Sequence, residues 1–460
     1  MRLRQSPPSQ VCPLPWQGTR TWIRGGGQEF RRRRQGLRHH PVPTEDRCRR
    51  TAHRLKGVRY PASRPGSPYA RPSHYGRLMS HEPTASQRAS RKDEHLELAV
   101  RLHSQDRAGA FDDVSFIHHS LPGIRAEQVD TGTTVLGSRW KVPFYINAMT
   151  GGTRATTAIN ADLAEAAAEA SVAIACGSQH VALRDPERAE GFRVIRRRAP
   201  ETFVLANVGP TVGAQEAVQA VEMLEANALQ IHLNAAQELV MPEGDRDFSG
   251  WSERIAAITA AVPVPVVVKE VGFGLSRQTI ETLAQAGVSA VDVAGAGGTD
   301  FIAIENERRP QRDLSYLVGW GQSTALCLLE SVAVDDPVGL PVLASGGVRN
   351  PLDVVRSLAL GSCAVGASGH FLHTLVREGA EALHRELCTW SDHVRTLMTL
   401  LGAANVAQLR HTDVLVTGST AEQARLLGLD LTRLTRRCRH RQANQLLKGQ
   451  ASVQPPAQER

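Results

Sequence analysis

The chain has 460 residues, 41% hydrophobic and 22% charged, with a formal net charge of +8. It holds no run of about 18 apolar residues, which excludes a membrane-spanning helix. Its seven scattered cysteines include no CxxC pair, which points to free thiols in a reducing, cytoplasmic compartment rather than a disulfide framework or zinc ribbon.

The charge is unevenly placed. Residues 1–78 hold seventeen Arg and one Lys against Glu29, Glu45 and Asp46, so this segment carries +15 and the remainder about −7. Residues 1–85 are rich in Arg, Pro, Ser and Gly and lack apolar periodicity. Such a stretch buries too little apolar surface to offset its ordering entropy, and it is expected to be a disordered basic extension. Met79 is a plausible start, which would make the extension an over-long translation. No nucleic-acid partner is expected.

From residue 86 to 435 the pattern predicts one domain. A helix is expected over 94–100, followed by strand-and-turn segments at 111–121 and 129–136. Then a strand–helix rhythm holds. Strands are predicted at 142–149, 172–176, 202–208, 228–234, 265–271, 290–294, 341–345 and 364–367. Helices are predicted at 158–171, 214–226, 251–261, 277–286, 323–334, 352–360 and from His370, with a longer segment reaching Arg198. Eight such units in about 240 residues fit a (β/α)8 TIM barrel. Strands apolar on both faces, such as VPVVVKE, suit buried parallel pairing. A doubly wound open sheet is the runner-up, but it would carry a GxGxxG turn after its first strand, and this chain has none there. Residues 371–430 read as helices with a short strand in TDVLVTG, and 436–460 as a tail.

In a barrel the strand C-termini converge on one mouth. Here they carry Asn147-Ala148-Met149-Thr150-Gly151-Gly152, Gly177-Ser178-Gln179-His180, Asn207, His232-Leu233-Asn234 with Gln237-Glu238, Lys269-Glu270, Gly295 to Asp300, Ser345 to Asn350, and Gly366-Ala367-Ser368. Small residues after strand one let a flat ring lie on the backbone. Glycine loops after strands six and seven, with the helix start near Asn350, match a barrel phosphate site. Lys269 at a buried strand end either pairs with Glu270 or faces an electron-rich ligand such as a reduced flavin.

The motifs RKDEH, INAMTGG, GSQH, LANVGP, HLNAAQE, PEGDRDFSGW, VVKEVGFG, DVAGAGGTDF and SGGVRNPLDV resemble those of type 2 isopentenyl-diphosphate isomerases, FMN-dependent barrels. The likeness runs from about Ser90 to Gly418. It implies an FMN cradle of Ala148, Met149, Thr150, Ser178, Asn207, Lys269, Ala294, Thr299, Gly347, Val348, Arg349, Ala367 and Ser368. It implies substrate contacts at Arg91, Lys92, Ser178, Gln179, His180 and Gln237, catalytic roles for His232, Gln237 and Glu238, and Glu238 as the Mg²⁺ ligand. It further implies NADPH as reductant, interconversion of isopentenyl and dimethylallyl diphosphate, and a homo-oligomer, tetramer or octamer. Two positions depart from the pattern: Ala294 stands where the family usually has Ser, and His180 where Arg is more usual. The rival reading is an FMN-dependent oxidoreductase of the 2-hydroxy-acid oxidase type on the same barrel.

Overall fold

The computed structural model describes residues 91–102, 109–149, 151–152, 154–333 and 339–438. The basic extension over 1–85, the tail beyond residue 438 and Thr150 lie outside the described residues, as do the side chains of Arg91 and Lys92.

Eight parallel strands form the centre: Phe144–Ile146, Ala173–Ala175, Val204–Val208, Ala228–Leu233, Val266–Glu270, Ala290–Asp292, Val342–Leu343 and Val365–Ala367. They are numbered one to eight below. Each pairs with the next through strand seven, and strand eight pairs with strand one. The ring closes between seven and eight at the parallel bridge Ala344↔Val365, so the expected barrel is present. Strand seven is two residues long because its chain leaves strand six after Leu343 and gives its next amide to Ala364 of the strand-eight side.

Alternation along each strand divides the core. In strand five, Val266 and Val268 face the surrounding helices, while Val267 joins the apolar floor inside the ring. Strand four does the same, with Leu229 and Ile231 outward and Ala228 inward. The floor is finished by the hairpin Thr133–Val135/Ser138–Trp140, where Trp140 meets Tyr145 edge-on at 5.6 Å and Phe203 at 5.2 Å. Toward the strand C-termini the inward residues turn polar: Asn147, Asn207, Gln230, Lys269, Asp292 and Ser345, all buried.

The outer helices follow their caps and stripes. Trp251–Ala261 buries Trp251, Ile255 and Ile258 at helical spacing. Arg277–Gln285 starts at Ser276, whose hydroxyl accepts from the Thr279 amide. The helix expected over 323–334 is instead Thr324–Leu328 followed by a π-type turn, Leu329–Ala333. The expected C-terminal strand is Val414–Val416, paired antiparallel with Val114–Phe116, which ties both ends of the domain together. Among the described residues no helix is long and apolar enough to cross a membrane, and the five described cysteines are free.

Candidate active site

The polar layer inside the barrel is one hydrogen-bonded network. The Asp292 carboxylate accepts from Tyr145 Oη (2.7 Å), Asn147 Nδ2 (2.8 Å), Ser345 Oγ (2.9 Å) and the Ala294 amide (3.1 Å). Asn147 Oδ1 accepts from Gln230 Nε2 (3.3 Å), Gln230 Oε1 from Asn207 Nδ2 (2.8 Å), and Asn207 Oδ1 bonds His232 Nδ1 (2.8 Å). The ladder places His232 beside Lys269 and Lys269 beside Asp292. Asp292, Asn147 and Gln230 were not singled out as site residues with a role of their own in this layer. Their period-2 spacing below the strand ends is the signal that could have found Asp292 and Gln230.

Lys269 lies 8% exposed, and its Nζ donates to the backbone carbonyl of Glu270 at 2.5 Å. Burial lowers its pKa, and the charges of Asp292 and Glu270 oppose that shift. The Glu270 carboxylate does not form the expected pair with the ammonium. Its Oε2 accepts from the amides of Val271, Gly272 and Phe273, pinning the loop after strand five. Burial pushes that carboxyl up to about 7 against those donors.

Above this layer the mouth opens as two lobes that share Ala148, Met149, Lys269, Val271, Phe301 and Ala99. The wider lobe, about 680 Å³, is lined by Ser178, His180, Asn207, His232, Asn234, Gln237 and Glu238. The narrower one, about 160 Å³, is lined by Ala294, Thr299, Gly347, Val348, Arg349, Ala367 and Ser368. Of the expected cradle, Ala294, Thr299, Gly347, Val348, Arg349, Ala367 and Ser368 line the narrow lobe, Ser178 and Asn207 the wide one, and Ala148, Met149 and Lys269 both. Ala99 and Leu102 show that the helix Arg91–Leu102 lies over this mouth, with Arg91 and Lys92 in its first turn.

Local chemistry fixes the lobes. Gly346, at φ +89°, approaches so closely that a Cβ there would meet the Gly295 carbonyl oxygen at 2.0 Å, so the loops after strands six and seven interlock. The helix N-terminus near Asn350 is not the open phosphate site expected. Asn350 Oδ1 accepts the Asp353 amide, and the Asp353 carboxylate takes the Arg349 amide and guanidinium. The open one is Gly369–Glu378, whose N-cap Ser368 makes no side-chain cap and whose first residues line the narrow lobe. Gly151 also has another cause than a resting ring: a Cβ there would strike the Phe192 ring at 2.2 Å.

Four further expected residues are held by partners within the protein. Gln179 is fully buried, with Nε2 on the Ala220 carbonyl and Oε1 taking the Asn207 amide. It braces strand three from behind and does not line either lobe. The Arg349 guanidinium binds Asp112 in a two-pronged pair and also Asp353, clamping the segment Ala110–Asp113 onto the barrel. Gln237 Nε2 donates at 2.8 Å to Glu305 Oε1, and Glu305 Oε2 accepts from Arg308. Glu305 sits on Phe301–Arg308, a helix inserted after strand six that the sequence reading missed. Glu238 Oε1 accepts from Asn234 Nδ2 and its Oε2 from the Asp245 amide, on a six-residue helix also missed, Ala235–Val240.

A family model described as FMN-dependent dehydrogenase matches residues 180–416, so a flavin-type (β/α)8 barrel is the class that fold and site define. A flavocytochrome b2 variant with benzoylformate (20% identity, 76% of this chain and 86% of that one, TM-score 0.51) and mandelate oxidase with (S)-2-phenylpropionate (18%, 70% and 94%, 0.50) share the fold. Curated relatives named isopentenyl-diphosphate delta-isomerase are 54% identical in Kitasatospora griseola (76% of this chain, 95% of the relative), 52% in Streptomyces sp. strain CL190 (76%, 95%) and 45% in Listeria welshimeri (76%, 98%). The chain belongs to the isopentenyl-diphosphate delta-isomerase family, of the FMN-dependent type.

Proposed function

We propose that this protein interconverts isopentenyl and dimethylallyl diphosphate, with FMN as its cofactor. The observation that carries the reading is the meeting of a glycine-lined lobe with a polar lobe at Ala148, Met149 and Lys269. FMN suits the narrow lobe: Gly346–Gly347 and the uncapped amides after Ser368 offer donors to a phosphate. Ala148, Met149, Ser178, Asn207, Lys269, Ala294, Thr299, Gly347 to Arg349, Ala367 and Ser368 would hold it. Bound and reduced, it supplies the proton and the electron-rich ring that an unactivated alkene needs for double-bond migration.

The chain's own residues do the rest. Lys269 holds a cation at the junction, where it favours an anionic ring. His232 is fixed through Nδ1 by Asn207, and its ring is the group proposed to hold or pass a proton. Gln237, its amide nitrogen committed to Glu305, turns its oxygen to the substrate. Glu238 is the Mg²⁺ ligand, in a lobe also lined by Glu243, Asp245 and Asp247, and the metal would bind the diphosphate through hard oxygen contacts. NADPH is the proposed reductant, with no net redox change per turnover. A cytoplasmic homo-oligomer, tetramer or octamer, completes the proposal.

The test is a visible spectrum of the purified protein followed by anaerobic titration. Flavin bands, retained after reconstitution with FMN and bleached by NADPH, support the reading. A colourless protein that takes up no FMN contradicts it. Bleaching by a 2-hydroxy acid would favour the oxidoreductase alternative.

A further inference from the structure

The wider lobe contains a cation that neither the motifs nor the hydrogen-bond network uses. Arg184 is the last residue of the short helix His180–Arg184, one turn beyond His180, so both residues project from the same face, and both line the lobe. The other cations there are committed. Arg254 Nε donates to the Gly250 carbonyl at 3.0 Å, and Lys269 to the Glu270 carbonyl. Arg188, next along the chain, is paired with Asp185. Arg184 makes no ion pair and no hydrogen bond among the described residues, although four carboxylates line the same lobe.

A guanidinium exposed at the rim of a cavity, without a protein partner among the described residues, is poised for an incoming anion. Its planar fork suits the bidentate geometry of a phosphate oxygen pair. We infer that Arg184 is a diphosphate anchor of the wider lobe, carrying a fixed positive charge beside His180. The inference rests on the proposed isomerase reading for the substrate, but its anion chemistry does not. The cation fixes one end of the substrate so that its hydrocarbon end reaches the junction at Lys269. It acts on binding and orientation, since it lies on the short helix after strand two and not in the polar layer of the barrel.

The experiment uses the full chain loaded with FMN. Binding of inorganic pyrophosphate with Mg²⁺ is measured by calorimetry for wild type, Arg184→Gln and Arg184→Lys. Steady-state kinetics with isopentenyl diphosphate and FMN dissociation constants are measured in parallel. Arg184→Gln is expected to weaken pyrophosphate binding and raise KM about tenfold, with kcat within threefold and FMN affinity unchanged, and Arg184→Lys to recover part of the loss. Pyrophosphate affinity and KM within twofold of wild type for Arg184→Gln would overturn the inference. So would a parallel loss of FMN affinity and kcat, which marks a structural role. If wild type lacks isomerase activity, the functional reading fails while the pyrophosphate titration still decides for or against Arg184.

Discussion

Glu238 illustrates how one side chain can be both anchored and available. Asn234 and the Asp245 amide each donate to one of its oxygens, so a Gln there keeps both contacts only if Asn234 turns its own amide oxygen toward the new NH2. Glu238→Gln is expected to lower Mg²⁺-dependent turnover on the order of 100-fold while leaving FMN affinity near wild type. Equal losses in both would remove it from the metal role. Asp292 presents the opposite case, a carboxyl group fully buried among donors from four residues. Asp292→Asn turns an amide donor toward Tyr145, Asn147 or Ser345, and should cost roughly 2–4 kcal/mol in urea unfolding. A change below about 0.5 kcal/mol would mean the network adapts.

At the scale of elements, the segment Ala110–Asp113 is held on the barrel by Asp112 and Arg349. The Arg349 hydrogen bonds, then the Gly109 amide, lower the Asp112 pKa from 3.8 to about 2. A depressed carboxyl stabilises the fold above its unfolded pKa, and that contribution disappears as pH falls through the folded value. Asp112→Asn should therefore lower Tm by a constant amount from pH 7 to 5, with the gap closing between pH 4 and 2. A gap that persists at pH 2 would locate the effect outside the ion pair. The same scale shows what was readable. Helix Trp251–Ala261 matches its expected bounds because its apolar stripe is complete. The strands came out shorter than expected, as with Phe144–Ile146 inside 142–149, because the apolar run continues into a loop that curls inward as Ala148 and Met149. Periodicity reports burial, and burial outlasts the ladder. Most candidate residues were legible as polar side chains after apolar strands. Gln179 was misplaced because it follows Ser178 on a tight turn, and a one-residue step turns the side chain from the lobe to the back wall. The partners Glu305 and Asp353 were invisible because helix insertions and caps are set by tertiary contact.

On the whole-molecule scale, one mouth draws on all eight strand ends, and the helix Arg91–Leu102 covers it. Residues 1–78 carry a formal charge of +15 and lie outside the described residues. Truncation to begin at Met79 is expected to leave turnover and FMN affinity within twofold. A large loss would assign the basic segment a role in the enzyme. The central claim is that the two lobes form one isomerase site. The most direct measurement is conversion of isopentenyl diphosphate by the FMN-loaded protein with Mg²⁺, NADPH-reduced and anaerobic, against the oxidised protein. The account predicts dimethylallyl diphosphate only with reduced flavin, without stoichiometric consumption of NADPH. No product under reducing conditions, or one NADPH oxidised for each product formed, would contradict it.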